Sequence, residues 1–144
     1  MNLKFKFFTE LPDEAKFIRT EVFIKEQGFE GEFDDVDGRA LHLVIYDADK
    51  NTAVGTARLF QDTAADDVYI IGRLAVLKAY RQHRLGSRMI SLLEDKAREL
   101  GAVKLMLSAQ CRVQNFYAEL GYTASGEIYY DEYCPHIHME KSLH

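Results

Sequence analysis

The sequence predicts an α+β fold, a mixed and mostly antiparallel sheet of about seven strands with flanking helices and a parallel βαβ unit at its centre. Three observations carry this. Period-two and short apolar runs alternate with helical stripes in the order β-α-β-β-β-α-β-α-β-β. The stretch from Val68 to Leu107 reads strand, amphipathic helix, strand, which makes a right-handed crossover between parallel neighbours. Two strands flank the turn Asp47-Ala48-Asp49-Lys50-Asn51 and form an antiparallel hairpin.

Each element follows from its pattern. Leu3, Phe5 and Phe7 alternate with Lys4 and Lys6, a strand. Leu11, Ala15, Ile18 and Val22 step by four, three and four, a helix with Pro12 in its first turn. It stops by Gly28. Glu30, Glu32, Asp34, Asp35 and Asp37 then make an acidic loop that reads as solvated. Leu41–Tyr46 and Ala53–Phe60 are the hairpin strands, and Val68–Leu77 is a further apolar strand. Leu85, Met89, Leu92, Leu93, Ala97 and Leu100 form a helical stripe ended by Gly101. Val103–Leu107 is a short buried strand, and Val113–Leu120 is a short helix closed by Gly121. The tail from Tyr122 to Leu143 reads as two strands around Cys134-Pro135.

The chain has 144 residues, the usual size of one domain, and residues 1–144 read as a single unit without repeats or a Pro/Ser-rich linker. The 23 acidic and 18 basic residues leave a net charge of −5, which argues against nucleic acid or an anionic membrane as partner. No apolar run approaches the ~20 residues of a membrane span, and the N-terminus lacks a signal peptide's apolar stretch. Two cysteines, Cys111 and Cys134, form no CxxC pair and predict neither a disulfide framework nor a zinc site. The expectation is a cytoplasmic enzyme or binding module.

Several motifs fail on inspection. Asp47-x-Asp49-x-Asn51 begins like a calcium loop, but Thr52 replaces the required glycine and Arg58 the closing glutamate. His136-x-His138 puts two imidazoles on one strand face without a third ligand, so no metal is expected. No GxxxxGK[ST], GxGxxG or GxSxG occurs. The informative stretch is Leu74–Met89. From Lys78 to Arg88 it holds four basic residues and no acidic one, just where a strand gives way to a helix. Free N–H groups and partial positive charge at a helix N-terminus bind phosphate. Gly86 lets backbone approach a ligand. An anion or pyrophosphate site is expected there.

Arg81-Gln82-His83-Arg84-Leu85-Gly86, with Phe116-Tyr117 to Gly121-Tyr122, resembles the GNAT superfamily of N-acetyltransferases. The family's phosphate loop is R/Q-x-x-G-x-G/A, and Arg84 stands where its first glycine is usual. Val22–Gln27, His42–Val44, Gly55–Leu59, Ala109-Gln110 and Pro135–Met139 are similar to the ElaA-like branch. The resemblance implies the GNAT fold, with acetyl-CoA as cosubstrate in a V-shaped gap between the Val68–Leu77 and Val103–Leu107 strands. It implies that Leu74, Ala75 and Val76 bind pantetheine and polarise the thioester through backbone groups. Arg81, Gln82, His83, Arg84, Leu85, Gly86 and Ser87 would hold the pyrophosphate, and Gln110 would contact cofactor or acceptor. Tyr117 would protonate the leaving thiolate, uphill by roughly 2 kcal/mol for an ordinary phenol. The acceptor is a small-molecule or peptide amine. It needs a base, for which Glu26, Glu132 and His136 are candidates. A homodimer is left open. The rival function is a non-catalytic acyl-CoA-binding or sensor module.

Overall fold

The computed structural model describes residues 1–143. Its strands are β1 (Leu3–Phe8), β2 (Leu41–Asp47), β3 (Thr52–Gln61), β4 (Val68–Val76), β5 (Lys104–Gln110), β6 (Thr123–Asp131) and β7 (Cys134–Ser142). They form one 7-stranded sheet in the order β1-β2-β3-β4-β5-β7-β6. Among the described residues β4 and β5 pair parallel and every other pair is antiparallel. The α+β class, the central βαβ unit and the two tail strands are as the patterns predict. The final strand does not lie at the edge: β7 inserts between β5 and β6.

The helices are α1 (Asp13–Arg19), α2 (Leu85–Glu99) and α3 (Gln114–Glu119). The stripe from Leu11 to Val22 predicts one regular helix. Instead Pro12 is extended at φ −79, ψ 160, so α1 starts at Asp13, and it widens into a π-helical stretch at Thr20–Glu26. That stretch buries Val22 and Phe23. Gly28 ends it at φ 78, a conformation that glycine adopts without steric cost.

Each face of the sheet carries its own apolar layer. Under α2 and α3, Met89 and Leu93 of α2 pack with Leu43, Ile45, Leu59 and Leu105 of the sheet, all fully buried. Burying such side chains contributes about 1.5–3 kcal/mol each. A Cβ at Gly55 would sit 2.8 Å from Ile45 Cγ2 and 2.9 Å from Met89 Sδ, so α2 rests directly on the β3 backbone. The opposite face packs Ile18, Val22, Phe23 and Phe29 around Ala75 and Cys134.

One irregularity shapes the molecule. Thr56 pairs with Ala75 but Arg58 pairs with Gly72, so two steps along β3 match three along β4. The extra residue is a β-bulge, and Arg73 within it takes φ 53. Parallel pairing of β4 with β5 ends just before it, at Ile71 and Leu107. Beyond that point the two strands part.

The acidic loop is a correction to the sequence reading. Glu30, Asp34 and Asp35 are exposed, but Glu32 and Asp37 are not solvated: they are 4% and 7% exposed. Their partners come from three elements. Arg19 bonds Glu32 at 2.9 Å and Asp37 at 2.7 Å; Arg58 bonds Asp37 at 2.9 Å and Asp34 at 2.7 Å; Arg73 bonds Asp34 at 3.2 Å and Glu32 at 2.9 Å. Alternating charges thus close a ring, each guanidinium facing two carboxylates. A buried charge is tolerated only when paired in this way. The ring ties the loop to α1 and β3, and it holds the bulge residue Arg73 in its left-handed conformation.

Candidate active site

The gap between β4 and β5 is the floor of a cavity of about 890 Å³. Along its β4 wall, past Ile71, the backbone has no strand partner on the β5 side. Leu77 N–H donates to Val54 across β3 at 2.9 Å. Backbone groups alternate along a strand, so those of Leu74 and Val76 turn to the gap while Ala75 pairs with Thr56. Val76 C=O accepts from Arg81 Nε at 3.0 Å, which agrees with this direction.

At one end of the cavity α2 begins. Leu85, 3% exposed, anchors the helix in the core. The N-cap Arg84 makes no side-chain cap bond, and the N–H of Arg88 is the first to reach a helix carbonyl, that of Arg84 at 3.2 Å. The N–H groups of Leu85, Gly86 and Ser87 therefore point outward from the helix end, and all three residues line the cavity. Arg84 stands at φ 58, ψ 26, the conformation a glycine would take there without strain. Gln82 is also left-handed, at φ 73. The loop thus keeps a glycine-like path with non-glycine residues. Gln82 and Arg84 line the cavity; His83 is exposed and lies off its wall. A Cβ on Gly86 would come within 3.1 Å of Phe116 Cζ, so the glycine lets α3 close on α2. Arg81 lines the cavity, but its guanidinium forks onto Glu26 at 2.6 and 2.8 Å.

Tyr117 projects from α3 into the opposite wall. It is 8% exposed and packs edge-on against Phe116 and Tyr122, at centroid distances of 5.0 and 6.1 Å. Burial pushes its phenol up to about 12. It remains protonated through the physiological range.

The other candidates lie toward the α1 face. Gln110 ends β5, donating to Gln27 Oε1 at 2.9 Å and accepting from Arg112 Nε at 2.9 Å. Glu26 borders an adjoining hollow of about 480 Å³, and the Arg81 hydrogen bond holds its carboxyl below the ordinary range. Glu132 accepts from the backbone N–H of Glu30 at 3.0 Å and of Gly31 at 3.2 Å, latching the acidic loop to the β6–β7 turn. His136 is 7% exposed and lines the cavity, with Nδ1 3.0 Å from Cys134 O.

The structure adds Arg73, Glu32 and Asp34, which line the cavity and which the sequence reading did not place there. One signal was available. Arg58 interrupts an apolar strand, and a charge in a buried strand requires a partner. An acidic loop with more carboxylates than local cations was the place to look for it.

A backbone-walled gap between splayed parallel strands, an open helix start and a buried phenol define an acyltransferase class of α+β protein. The chain belongs to the GNAT family: residues 10–143 match its model, described as an acetyltransferase (GNAT) domain. It is similar to the uncharacterized N-acetyltransferase YjcF of Bacillus subtilis (strain 168), 33% identical over 131 residues that cover 89% of this chain and 90% of that one. The fold matches an acyl-CoA N-acyltransferase from Pseudomonas aeruginosa with a TM-score of 0.82 and 26% identity, over 97% of this chain and 99% of that one. It matches Escherichia coli ElaA with a TM-score of 0.85 and 24% identity, again over 97% and 99%. The motif resemblance to this family and its ElaA-like branch therefore holds.

Proposed function

We propose that the chain transfers an acetyl group from acetyl-CoA to an amine by direct attack. The observation that carries the reading is the gap itself. The Arg73 bulge frees the Leu74 and Val76 backbone there, and the free N–H groups of α2 stand at its end. A pyrophosphate suits the Leu85, Gly86 and Ser87 amides, with Arg84 beside them to add positive charge. Acetyl-CoA supplies an acyl group on a thiol leaving group. The Leu74 and Val76 amides would hold the pantetheine arm and donate to the acyl oxygen.

Tyr117 would give its proton to the departing sulfur and regain one from solvent. Against a thiol near 8.5, a phenol at about 12 makes full transfer uphill by about 5 kcal/mol. Burial thus more than doubles the cost expected of an ordinary phenol. It also fixes the hydroxyl as a donor at every working pH. Neither cysteine is required as a nucleophile.

Thermal unfolding with acetyl-CoA and with pantetheine, followed by an amine panel, tests the reading. Acetyl-CoA should raise Tm by mass action and pantetheine much less. Equal shifts would remove the pyrophosphate site from this loop. A shift without transfer to any amine would make the chain an acyl-CoA-binding module.

A further inference from the structure

We infer that His136 is the catalytic base that deprotonates the acceptor amine, and that it works on the sheet face opposite to Tyr117. The inference rests on the acetyl-transfer reading. His136 pairs with Gln110 across β5 and β7, which places both side chains on one face. Gln110 bonds Gln27, at the end of the π-helical stretch, so this is the α1 face. Tyr117 belongs to the apolar layer under α2. The cavity reaches both residues through the gap between β4 and β5.

The tautomer follows from chemistry. A carbonyl oxygen only accepts, so the 3.0 Å contact with Cys134 O puts the proton on Nδ1. The neutral ring then offers Nε2 as an acceptor. Among the described residues Nε2 has no partner, and it opens to the cavity. The ring is held by stacking on Tyr129 at 6.1 Å and 24°. The other two candidates are occupied: Glu26 by Arg81, and Glu132 by two backbone amides. The titratable groups around His136 are Tyr129 and Asp131 from β6, Glu132 from the following turn, Arg112 after β5, and His138 on its own strand face. The carboxylates of Asp131 and Glu132 favour an entering cation over an anion.

The protons balance. The acceptor arrives as R–NH3⁺ and Nε2 takes one proton, which passes to water. The nitrogen lone pair then forms the N–C bond as the C–S bond breaks. Tyr117 O–H protonates the sulfur, and the second N–H proton is lost as the amide forms, reaching Tyr117 through solvent. The net products are amide, thiol and one proton.

His136→Asn keeps a donor in the place of Nδ1 and removes Nε2. With an alkylamine that the wild type acetylates, kcat/KM at pH 7 should fall about 100-fold, and what remains should rise with pH in step with the acceptor's own free-amine fraction. With methoxyamine, which is neutral at pH 7, the loss should be small. Acetyl-CoA affinity should stay at the wild-type value. Nitrogen NMR of the free protein should show the Nδ1–H tautomer. An unaffected variant, an equal loss with both amines, or an Nε2–H tautomer overturns the base while leaving acetyl transfer intact. If the wild type acetylates no amine, the transfer reading fails and the base falls with it.

Discussion

Tyr117 is placed for its role by packing. It has aromatic neighbours on two sides, little freedom of rotation and a hydroxyl at the cavity wall. Tyr117→Phe keeps the ring and deletes the donor. If the hydroxyl protonates the leaving sulfur, kcat falls by about 10²–10⁴-fold while acetyl-CoA affinity is unchanged. The loss shrinks with an acyl donor whose thiol is more acidic. Steady-state rates at saturating acetyl-CoA, with a responsive amine, decide it; weakened binding with unchanged kcat would make Tyr117 a packing residue. The motif that pointed to Tyr117 was legible because Phe116, Tyr117, Gly121 and Tyr122 are near neighbours in sequence. Arg84 shows the limit of such reading. The sequence departs from glycine there, yet the backbone takes the glycine conformation at φ 58 because Leu85 is buried and fixes the helix start. Side-chain identity alone does not report that constraint.

Among the elements, local patterns and the βαβ pairing read well, and long-range ion pairing did not. Strand alternation and the α2 stripe are properties of neighbouring residues, and those elements lie where the pattern puts them. The ring joins Arg19, Arg58 and Arg73 to Glu32, Asp34 and Asp37, partners separated by 13 to 41 residues. No local period encodes that, so the loop looked solvated. The bulge was hidden because its left-handed residue is Arg73 and not glycine. The ring should be costly to break. Arg19 is 1% exposed, and Arg19→Met leaves Glu32 and Asp37 each short of a partner in a buried site. A loss of about 3–5 kcal/mol is expected by urea unfolding. Asp37 adds a pH signature. Burial opposes its charge, but the Arg19 and Arg58 hydrogen bonds prevail and hold it at about 2, against 3.8 for a free side chain. A depressed folded-state value stabilises above the unfolded one. About 2 kcal/mol is therefore lost as pH falls from 4 toward 2. Arg19→Met should flatten that limb; a wild-type urea midpoint constant across this range would contradict the ring's role.

At the scale of the whole molecule the alkaline limit has a different origin, in phenols shared between the two ends of the sheet. Burial pushes Tyr117 up to about 12, and burial together with the Glu14 carboxylate does the same for Tyr46 on β2. Tyr122 is raised by burial and by Glu94, which accepts its hydroxyl at 2.8 Å. A free phenol ionises near 10, so above that pH the unfolded chain gains charge that the folded chain refuses. The sign is fixed by the raised folded-state value. The contribution is whole below pH 10 and is lost as pH climbs toward 12. Tyr117 accounts for about 2–3 kcal/mol of it, and the half-buried Tyr46, screened by solvent, for less, together a large share of the ~5–15 kcal/mol that holds a domain folded. The urea midpoint should therefore drop steeply between pH 10 and 12. Absorbance of tyrosinate should rise together with unfolding, not ahead of it, for the buried subset. Tyr46→Phe and Tyr117→Phe remove phenols that resist ionisation, so the double variant should lose less stability over this interval than the wild type. Equal slopes for the two proteins would move the alkaline limit away from these tyrosines, to lysine deprotonation across the surface.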